Sequence, residues 1–281
     1  MIENRCDRDE VTFEAVAECH WQPVRQTPPG VPLLISETTD IHHFTHQATT
    51  GLGMLGDGQG RGMQWHSGLM VEASTGVVAG MAAAKVFYRQ RAPKQETRTQ
   101  RLNRTRESSL WGDVVDAAGS PPTGSQWVHV FDRGGDNFEA LCHLVTQQCD
   151  GVIRASQRKR KVRLDSGESV ALDQAIQTAS RVGSYPLSLR SRPGQSARVA
   201  SLNVRTVRIT LPAPAAKSRY VKACRIARIS MNVVIVEDTK QPQMTLTNQE
   251  EACHGYQTVA THLQDANPVV KTGQIESHPL R

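Results

Sequence analysis

The stretch that most constrains the fold of this chain is WVHVFDRGGDNFE, residues 127–139. Its first five residues, Trp127 to Phe131, form a strand pattern that runs directly into Asp132, a glycine turn and the start of a helical pattern. A strand that leads straight into a helix favours an α/β protein, in which helices cover the faces of a sheet. A carboxylate at such a strand end lies at the sheet edge where α/β proteins build their binding sites.

The other patterns alternate between helix and strand along the chain. In order, the sequence predicts a helix over 9–26, strands over 31–35, 63–72 and 77–88, a helix over 107–118, a strand over 127–131, a helix over 137–148 and a strand over 152–155. Residues 165–240 change to two-residue alternation with proline and glycine turns, which predicts a β-rich block. The last forty residues have weak helical periodicity and predict a helix.

Charge and composition narrow the class of protein. The chain has 281 residues, a net charge of +6 and a pI of about 9.1, which favours an anionic partner, nucleic acid first. Cations concentrate over 85–106 and again over 154–163. The six cysteines are scattered without a C-x-x-C pair, so we expect free thiols and no zinc site. The longest apolar runs are too short for a transmembrane helix and the N-terminus is polar, which predicts a cytoplasmic protein.

A glycine-rich stretch over 49–66 contains the spacing G-x-G-x-x-G at Gly51, Gly53 and Gly56. A dinucleotide-binding loop needs a strand running directly into the glycines and a helix leaving them. Here the preceding strand pattern ends well before Gly51, and a strand pattern follows. The stretch is therefore predicted to be a flexible connection between two strands, since glycine adopts positive φ at little cost.

Two carboxylates follow strand patterns, Glu37 after residues 31–35 and Asp132 after residues 127–131. Carboxylates at adjacent strand ends are oxygen ligands suited to Mg²⁺, and paired metal ions assist phosphodiester cleavage. The alternative is that Asp132 and Asp136 cap the helix that begins near Asn137. The sequence leaves both interpretations open.

Several segments resemble one family of enzymes. HVFDRGGDNFEAL resembles the second-aspartate motif of cut-and-paste DDE transposases, in the insertion-sequence group that includes the transposon-five enzyme. LLISETTDIHHF with the glycine-rich stretch resembles the group's first motif, and RESSLWGDVV resembles its Glu-Ser-x-x-Trp helix. CDGVIRASQRKRKV resembles the strand and basic turn after the second aspartate. The resemblance is closest over 11–163, looser over 184–240, and weak beyond.

The resemblance implies a fold and a division of the chain. The expected fold is α/β, a ribonuclease H-like mixed sheet with a β-rich insertion before the last catalytic helix. Residues 1–30 would be the remnant of an N-terminal helical region, so that the copy is truncated. Residues 31–164 would be the first part of the catalytic core, 165–240 the β-rich insertion, and 241–281 the degenerate C-terminal part of the core.

The resemblance also implies metal-dependent DNA strand cleavage and strand transfer in transposition. Glu37 and Asp132 would be catalytic and would hold Mg²⁺ or Mn²⁺. Counting back from Lys271, the third catalytic position falls on Gln264, a neutral amide in place of the family's glutamate. The first motif also departs from the family, because Glu37 stands where it has aspartate. A displaced carboxylate can cost about 10²-fold in rate, so activity is expected to be impaired.

The partner implied by the resemblance is DNA, both transposon ends and target, in a prokaryotic cytoplasm and at the nucleoid when bound. A homodimer is compatible with the resemblance, whereas a membrane or a small-molecule substrate is not expected. The residues expected to contact DNA are Arg133, Arg154, Arg158, Lys159, Arg160 and Lys271. Two alternatives stay open: a non-catalytic DNA-binding transposase remnant, and a general metal-dependent nuclease.

Overall fold

A mixed sheet organises the chain in the computed structural model. The described residues are 12–26, 29–43, 45, 48–56, 58, 60–191, 193 and 196–239, with the backbone alone of 256–262. The strands are β1 (Pro32–His42), β2 (Gly53–Leu55), β3 (Gly60–Glu72), β4 (Val78–Phe87), β5 (Val128–Phe131), β6 (Asp150–Arg154), β7 (Lys161–Leu164), β8 (Ser169–Ala171), β9 (Ser180–Leu189), β10 (Arg198–Pro212), β11 (Arg228–Asp238) and β12 (Tyr256–His262). The helices are α1 (Phe13–Arg25), α2 (Arg98–Asn103), α3 (Leu110–Ala118), α4 (Phe138–Thr146), α5 (Leu172–Gln177) and α6 (Arg219–Cys224).

The strand order of the sheet is β2-β3-β1-β5-β6-β12-β11-β10-β7-β8, with β4 paired to β3 and β9 paired to β10. β1, β3 and β4 form an antiparallel group, whereas β1, β5 and β6 are parallel neighbours. The strands from β12 to β8 pair antiparallel. The protein is therefore a mixed α/β fold. No helix among the described residues is long and apolar enough to cross a membrane.

β1 extends further than the pattern over 31–35 predicts. It pairs with β3 along its whole length, from Pro32 opposite Glu72 to His42 opposite Gly62. This pairing gives backbone partners to the polar residues after Ile35, which alone carry little hydrophobic strand signal. The prediction that the strand ends before Glu37 is wrong, because Glu37 lies inside β1 and opposite Ser67.

The glycine-rich stretch connects β1 to β3, with β2 inside it, which confirms the predicted connection between two strands. Gly51 and Gly56 have φ values of +78° and +55°, a region that favours glycine. Gly62 has a different role, because a Cβ there would collide with the carbonyl oxygen of Ile41 in the neighbouring strand. Gly51 and Gly56 therefore allow the chain to turn, and Gly62 allows β3 to lie close to β1.

Helices α3 and α4 cover one face of the sheet. Trp111, Val114 and Val115 of α3 are buried, as the one-faced apolar pattern over 107–118 predicts. On α4, Leu141 and Leu144 join the same core cluster. That cluster is continuous with buried residues from the β-rich block, among them Ile209 and Val233. Residues 31–164 and 165–240 therefore share one hydrophobic core.

The prediction of a helix over the last forty residues is wrong for 256–262. These residues form β12, which pairs with β6 on one side and β11 on the other. The strand supplies backbone partners to both neighbours, whose facing edges would otherwise carry unpaired N–H and C=O groups. Gln264 and Lys271 lie outside the described residues.

Candidate active site

Three charged residues lie just beyond the last paired residues of the three parallel strands β1, β5 and β6. The pairing of β1 with β5 ends at Ile35 opposite Val130, and Glu37 and Asp132 are each the second residue after that pair. The pairing of β5 with β6 ends at Phe131 opposite Ile153, and Asp132 and Arg154 each follow that pair directly. Because neighbouring strands are about 4.8 Å apart, these three residues belong to one edge of the sheet. We call these three residues the charged row.

Strand alternation decides which face of the sheet the charged row occupies. Leu34 and Ser36 of β1 are buried against the helices, whereas Ile35 is 40% exposed and Glu37 is exposed. Asp132 has extended backbone angles, φ −74° and ψ −164°, so the alternation continues through it from Val130. Both residues are exposed, and Glu37 lies on the opposite side of β1 from the buried Leu34 and Ser36.

Local contacts fix the position of Asp132. Its Oδ1 accepts a hydrogen bond of 2.6 Å from the Gly134 N–H, which caps the 3₁₀ turn Arg133–Gly135. Gly134 itself packs against the indole of Trp111 on α3. A Cβ at Gly134 would lie 2.8 Å from Trp111 Cζ2 and 3.0 Å from Asp132 Oδ1. The turn therefore holds Asp132 only because residue 134 has no side chain.

Neither carboxylate of the charged row is neutralised by a neighbour. Glu37 Oε1 accepts a hydrogen bond of 3.2 Å from the Thr38 N–H. Across the described part of the chain, no cationic side chain forms an ion pair with Glu37 or Asp132. Two exposed carboxylates without an ion-pair partner among the described residues are available to bind a cation.

The oxygen donors of this pair suit one type of metal ion. No group of three metal-ligating side chains gathers anywhere in the described ranges. Mg²⁺ keeps several waters and is commonly held by one or two carboxylates plus substrate phosphates, and Mn²⁺ accepts the same donors. Glu37 and Asp132 therefore fit Mg²⁺ or Mn²⁺, whereas a structural zinc site would need four protein ligands.

Asp136 has a structural role and does not cap α4. Its carboxylate accepts hydrogen bonds from the N–H groups of Ser156 (2.6 Å) and Gln157 (3.0 Å), and forms an ion pair of 2.8 Å with Arg160. The residue that caps α4 is Asn137, which accepts from the Ala140 N–H. The capping interpretation is therefore wrong for Asp136, and Asp132 caps a 3₁₀ turn instead of the helix.

The cations predicted to contact DNA fall into different environments. Arg158 pairs with Asp173 at 2.6 Å and Arg160 pairs with Asp136, so both guanidinium groups already face a carboxylate. Lys159 between them is exposed, as is Arg133. Arg154 belongs to the charged row and is half-buried. Their contact with DNA stays a prediction.

Two histidines behind the charged row were not singled out from the sequence. His66 Nδ1 lies 2.7 Å from the Thr38 hydroxyl, and its ring meets Trp111 edge to face. Burial lowers the pKa of His66 to about 4 and that of His129 to about 3, so both rings are neutral supports. Strand parity is the signal that identifies them, because each falls on the buried side of its strand.

No protein-family model matches this chain, and no curated protein matches it. The functional argument therefore depends on the charged row and the surfaces around it.

Proposed function

We propose that this chain is a metal-dependent DNA-processing enzyme of the ribonuclease H-like class, a DNA transposase that cleaves and transfers DNA strands. The observation that carries the proposal is the position of Glu37 and Asp132, each two residues beyond the last pair of the neighbouring parallel strands β1 and β5. The mixed sheet supports it, since the resemblance of the motifs to DDE transposases implies such a sheet. The long β-rich block before β12 is in the place where the resemblance implies an insertion.

The charged row can perform three tasks in this chemistry. Glu37 and Asp132 would hold Mg²⁺ or Mn²⁺ through their carboxylate oxygens. Bound there, the metal would make a water or a 3′-hydroxyl a better nucleophile and stabilise the leaving oxygen. Arg154, next to Asp132 in the row, would hold a phosphate of the substrate through the paired N–H groups of its guanidinium. Both residues are exposed, so their carboxylates are accessible to a DNA backbone.

Impaired activity is part of the proposal. Glu37 has one methylene more than the aspartate of the family motif, and a misplacement on the order of 1 Å can cost about 10²-fold in rate. We therefore expect Glu37→Asp to raise the rate of cleavage. A lower rate in Glu37→Asp would instead mean that the backbone already accommodates the longer side chain.

A non-catalytic DNA-binding remnant is the second candidate. It is favoured by one observation, that no group of three metal-ligating side chains comes together among the residues whose placement is described. This candidate predicts DNA binding without metal-dependent nicking. A general metal-dependent nuclease would use the same two carboxylates and would also cut DNA that lacks transposon ends.

One assay separates the three functions. Supercoiled plasmid with and without the element's terminal inverted repeats is incubated with wild type in Mg²⁺, in Mn²⁺ and in EDTA. The variants are Asp132→Ala and, as a matched control, Asp165→Ala, which removes an exposed carboxylate from the turn between β7 and β8.

The transposase proposal expects nicking that needs metal and terminal repeats, is abolished in Asp132→Ala and is unchanged in Asp165→Ala. Nicking of both plasmids would identify a general nuclease, and binding without nicking would identify a remnant. If Asp132→Ala nicked as fast as wild type, the metal-site assignment would be wrong.

A further inference from the structure

Residues 174–236 contain eleven cationic side chains and no aspartate or glutamate. The whole chain has a net charge of +6, so the rest of it carries +6 − 11 = −5. The cations are Arg181, Arg190, Arg192, Arg198, Arg205, Arg208, Lys217, Arg219, Lys222, Arg225 and Arg228. The block therefore carries a net charge of +11, beside +7 over 85–106 and +6 over 154–163.

Ion pairing shows which of the cations have a structural use. Outside residues 174–236, several cationic side chains form ion pairs with carboxylates, as Arg104 does with Glu96 and Arg158 does with Asp173. Within the block, Arg198 and Arg205 pair with the two carboxylates that directly follow it, Asp238 and Glu237. Among the described residues, no ion pair involves the cations on and after α6, which are Arg219, Lys222, Arg225 and Arg228.

The fold brings a second group of cations beside α6. The Arg219 N–H donates a hydrogen bond of 2.8 Å to the side chain of Asn103, the last residue of α2. The C-terminal end of α2, which carries Arg98 and Arg101, therefore meets the N-terminal end of α6, which carries Arg219 and Lys222. All four side chains are exposed, and none forms an ion pair with a described carboxylate. We call these four residues the α2–α6 surface.

The dimensions of the α2–α6 surface suit a nucleic-acid backbone. The rise of an α-helix is 1.5 Å per residue, so Arg101 lies about 3 Å along α2 from Asn103, and Lys222 about 4.5 Å along α6 from Arg219. Four like charges on two helix ends that meet repel one another in the free protein. Duplex DNA carries one phosphate charge per about 1.7 Å of its axis, and binding it would relieve that repulsion and release counterions.

The chemistry around the α2–α6 surface argues against a lipid membrane. A membrane-surface helix combines cations with exposed apolar or aromatic side chains that enter the interface. On α6 the apolar side chain of Val221 is buried, and Tyr220 stacks on His143 at a centroid distance of 3.6 Å. None of the exposed large hydrophobic residues in the described ranges lies on α2 or α6.

We infer that the α2–α6 surface binds the phosphate backbone of duplex DNA, independently of sequence. The inference rests on the proposed function in naming DNA as the ligand, but it concerns binding and not cleavage. It adds Arg98, Arg101, Arg219 and Lys222 to the residues expected to contact DNA.

The test compares two variants with equal loss of charge. The surface variant replaces Arg98, Arg101, Arg219 and Lys222 with Gln. The substitution at residue 219 keeps the hydrogen bond to Asn103, because the donor is the backbone N–H. The control variant replaces four exposed cations of β7, β9 and the residue after β9 with Gln: Lys161, Arg163, Arg181 and Arg190. Circular dichroism checks that both variants are folded.

Binding to a labelled 30-base-pair duplex is measured by fluorescence anisotropy in EDTA, over a range of salt concentrations. Each phosphate contact contributes about 0.9 to the slope of log K against log[salt]. The surface variant is expected to lose two or more units of slope and to bind at least 100-fold more weakly in 100 mM salt, since each lost contact weakens binding about eightfold there. The control variant is expected to stay within one unit of wild type.

Equal losses in both variants would mean that net charge alone attracts DNA, and would overturn the inference. So would an unchanged surface variant, or a wild type that does not bind duplex DNA. If only binding to phosphatidylserine vesicles were lost in the surface variant, the ligand would be a membrane and the inference would again fail. Failure of the proposed function is distinguishable, because it would leave DNA binding intact in EDTA and remove only metal-dependent nicking.

Discussion

Acidification is expected to unfold this protein through two buried histidines. His129 on β5 is fully buried, and neither of its ring nitrogens has a hydrogen-bond partner among the described residues. His66 on β3 is also buried, with Nδ1 at the Thr38 hydroxyl. Burial lowers the pKa of His129 to about 3 and that of His66 to about 4. The folded protein therefore resists protonation at both rings.

The sign and size of the effect follow from these pKa values. In the unfolded chain both rings titrate near pH 6.5, well above their folded pKa values. The stability that their neutral forms contribute is complete above pH 6.5 and is lost as the pH falls from 6.5 toward 4 and 3. Below pH 6.5 each ring lowers the free energy of unfolding by about 1.36 kcal/mol per pH unit. At pH 5 the two rings together have therefore lowered it by about 4 kcal/mol. That loss is comparable to the whole free energy of unfolding of many domains.

The measurement is urea unfolding followed by tryptophan fluorescence at pH 7.5, 6.5, 5.5 and 5.0. The informative variant is His129→Leu, which removes a titrating ring without breaking a hydrogen bond that the structure records. Between pH 7.5 and 5.0 it is expected to lose about 2 kcal/mol less than wild type. His20→Gln is the control, because His20 is exposed on α1 and its ring is solvated in both states.

Two results would refute this reasoning. One is a wild type whose free energy of unfolding stays constant from pH 7.5 to 5.0. The other is a His129→Leu variant that loses as much stability as wild type, which would mean that water reaches the ring in the folded protein.

Two further predictions concern the loop around the charged row. Gly134→Ala places a methyl group against Trp111 and Asp132 Oδ1, so we expect a loss of about 1–3 kcal/mol in urea unfolding and at least tenfold slower nicking; wild-type values for both would show that the turn is not constrained. Arg160→Met leaves the carboxylate of Asp136 buried without its ion pair and should cost about 3 kcal/mol or more, whereas Lys159→Met should cost less than about 0.5 kcal/mol. Equal stabilities of these two variants would contradict the structural role of Arg160.

The sequence alone determined the elements whose signal is local. The one-faced pattern over 107–118 predicted α3, and the strand that runs into Asp132 predicted β5, the turn and α4. The strand patterns on either side of the glycines argued against a dinucleotide loop and predicted the connection from β1 to β3. These predictions succeeded because hydrophobic periodicity, capping residues and glycine turns act within a few residues of one another.

Only the tertiary structure decided the features that depend on pairing between distant segments. β1 continues through Glu37 because β3 supplies its hydrogen-bond partners. Residues 256–262 form a strand because their backbone pairs with both β6 and β11. The same is true of the charged row and of the α2–α6 surface, whose members are brought together by strand register and by the contact between Asn103 and Arg219. Backbone pairing and charge proximity act through space, so neither propensity nor periodicity along the chain carries a signal for them.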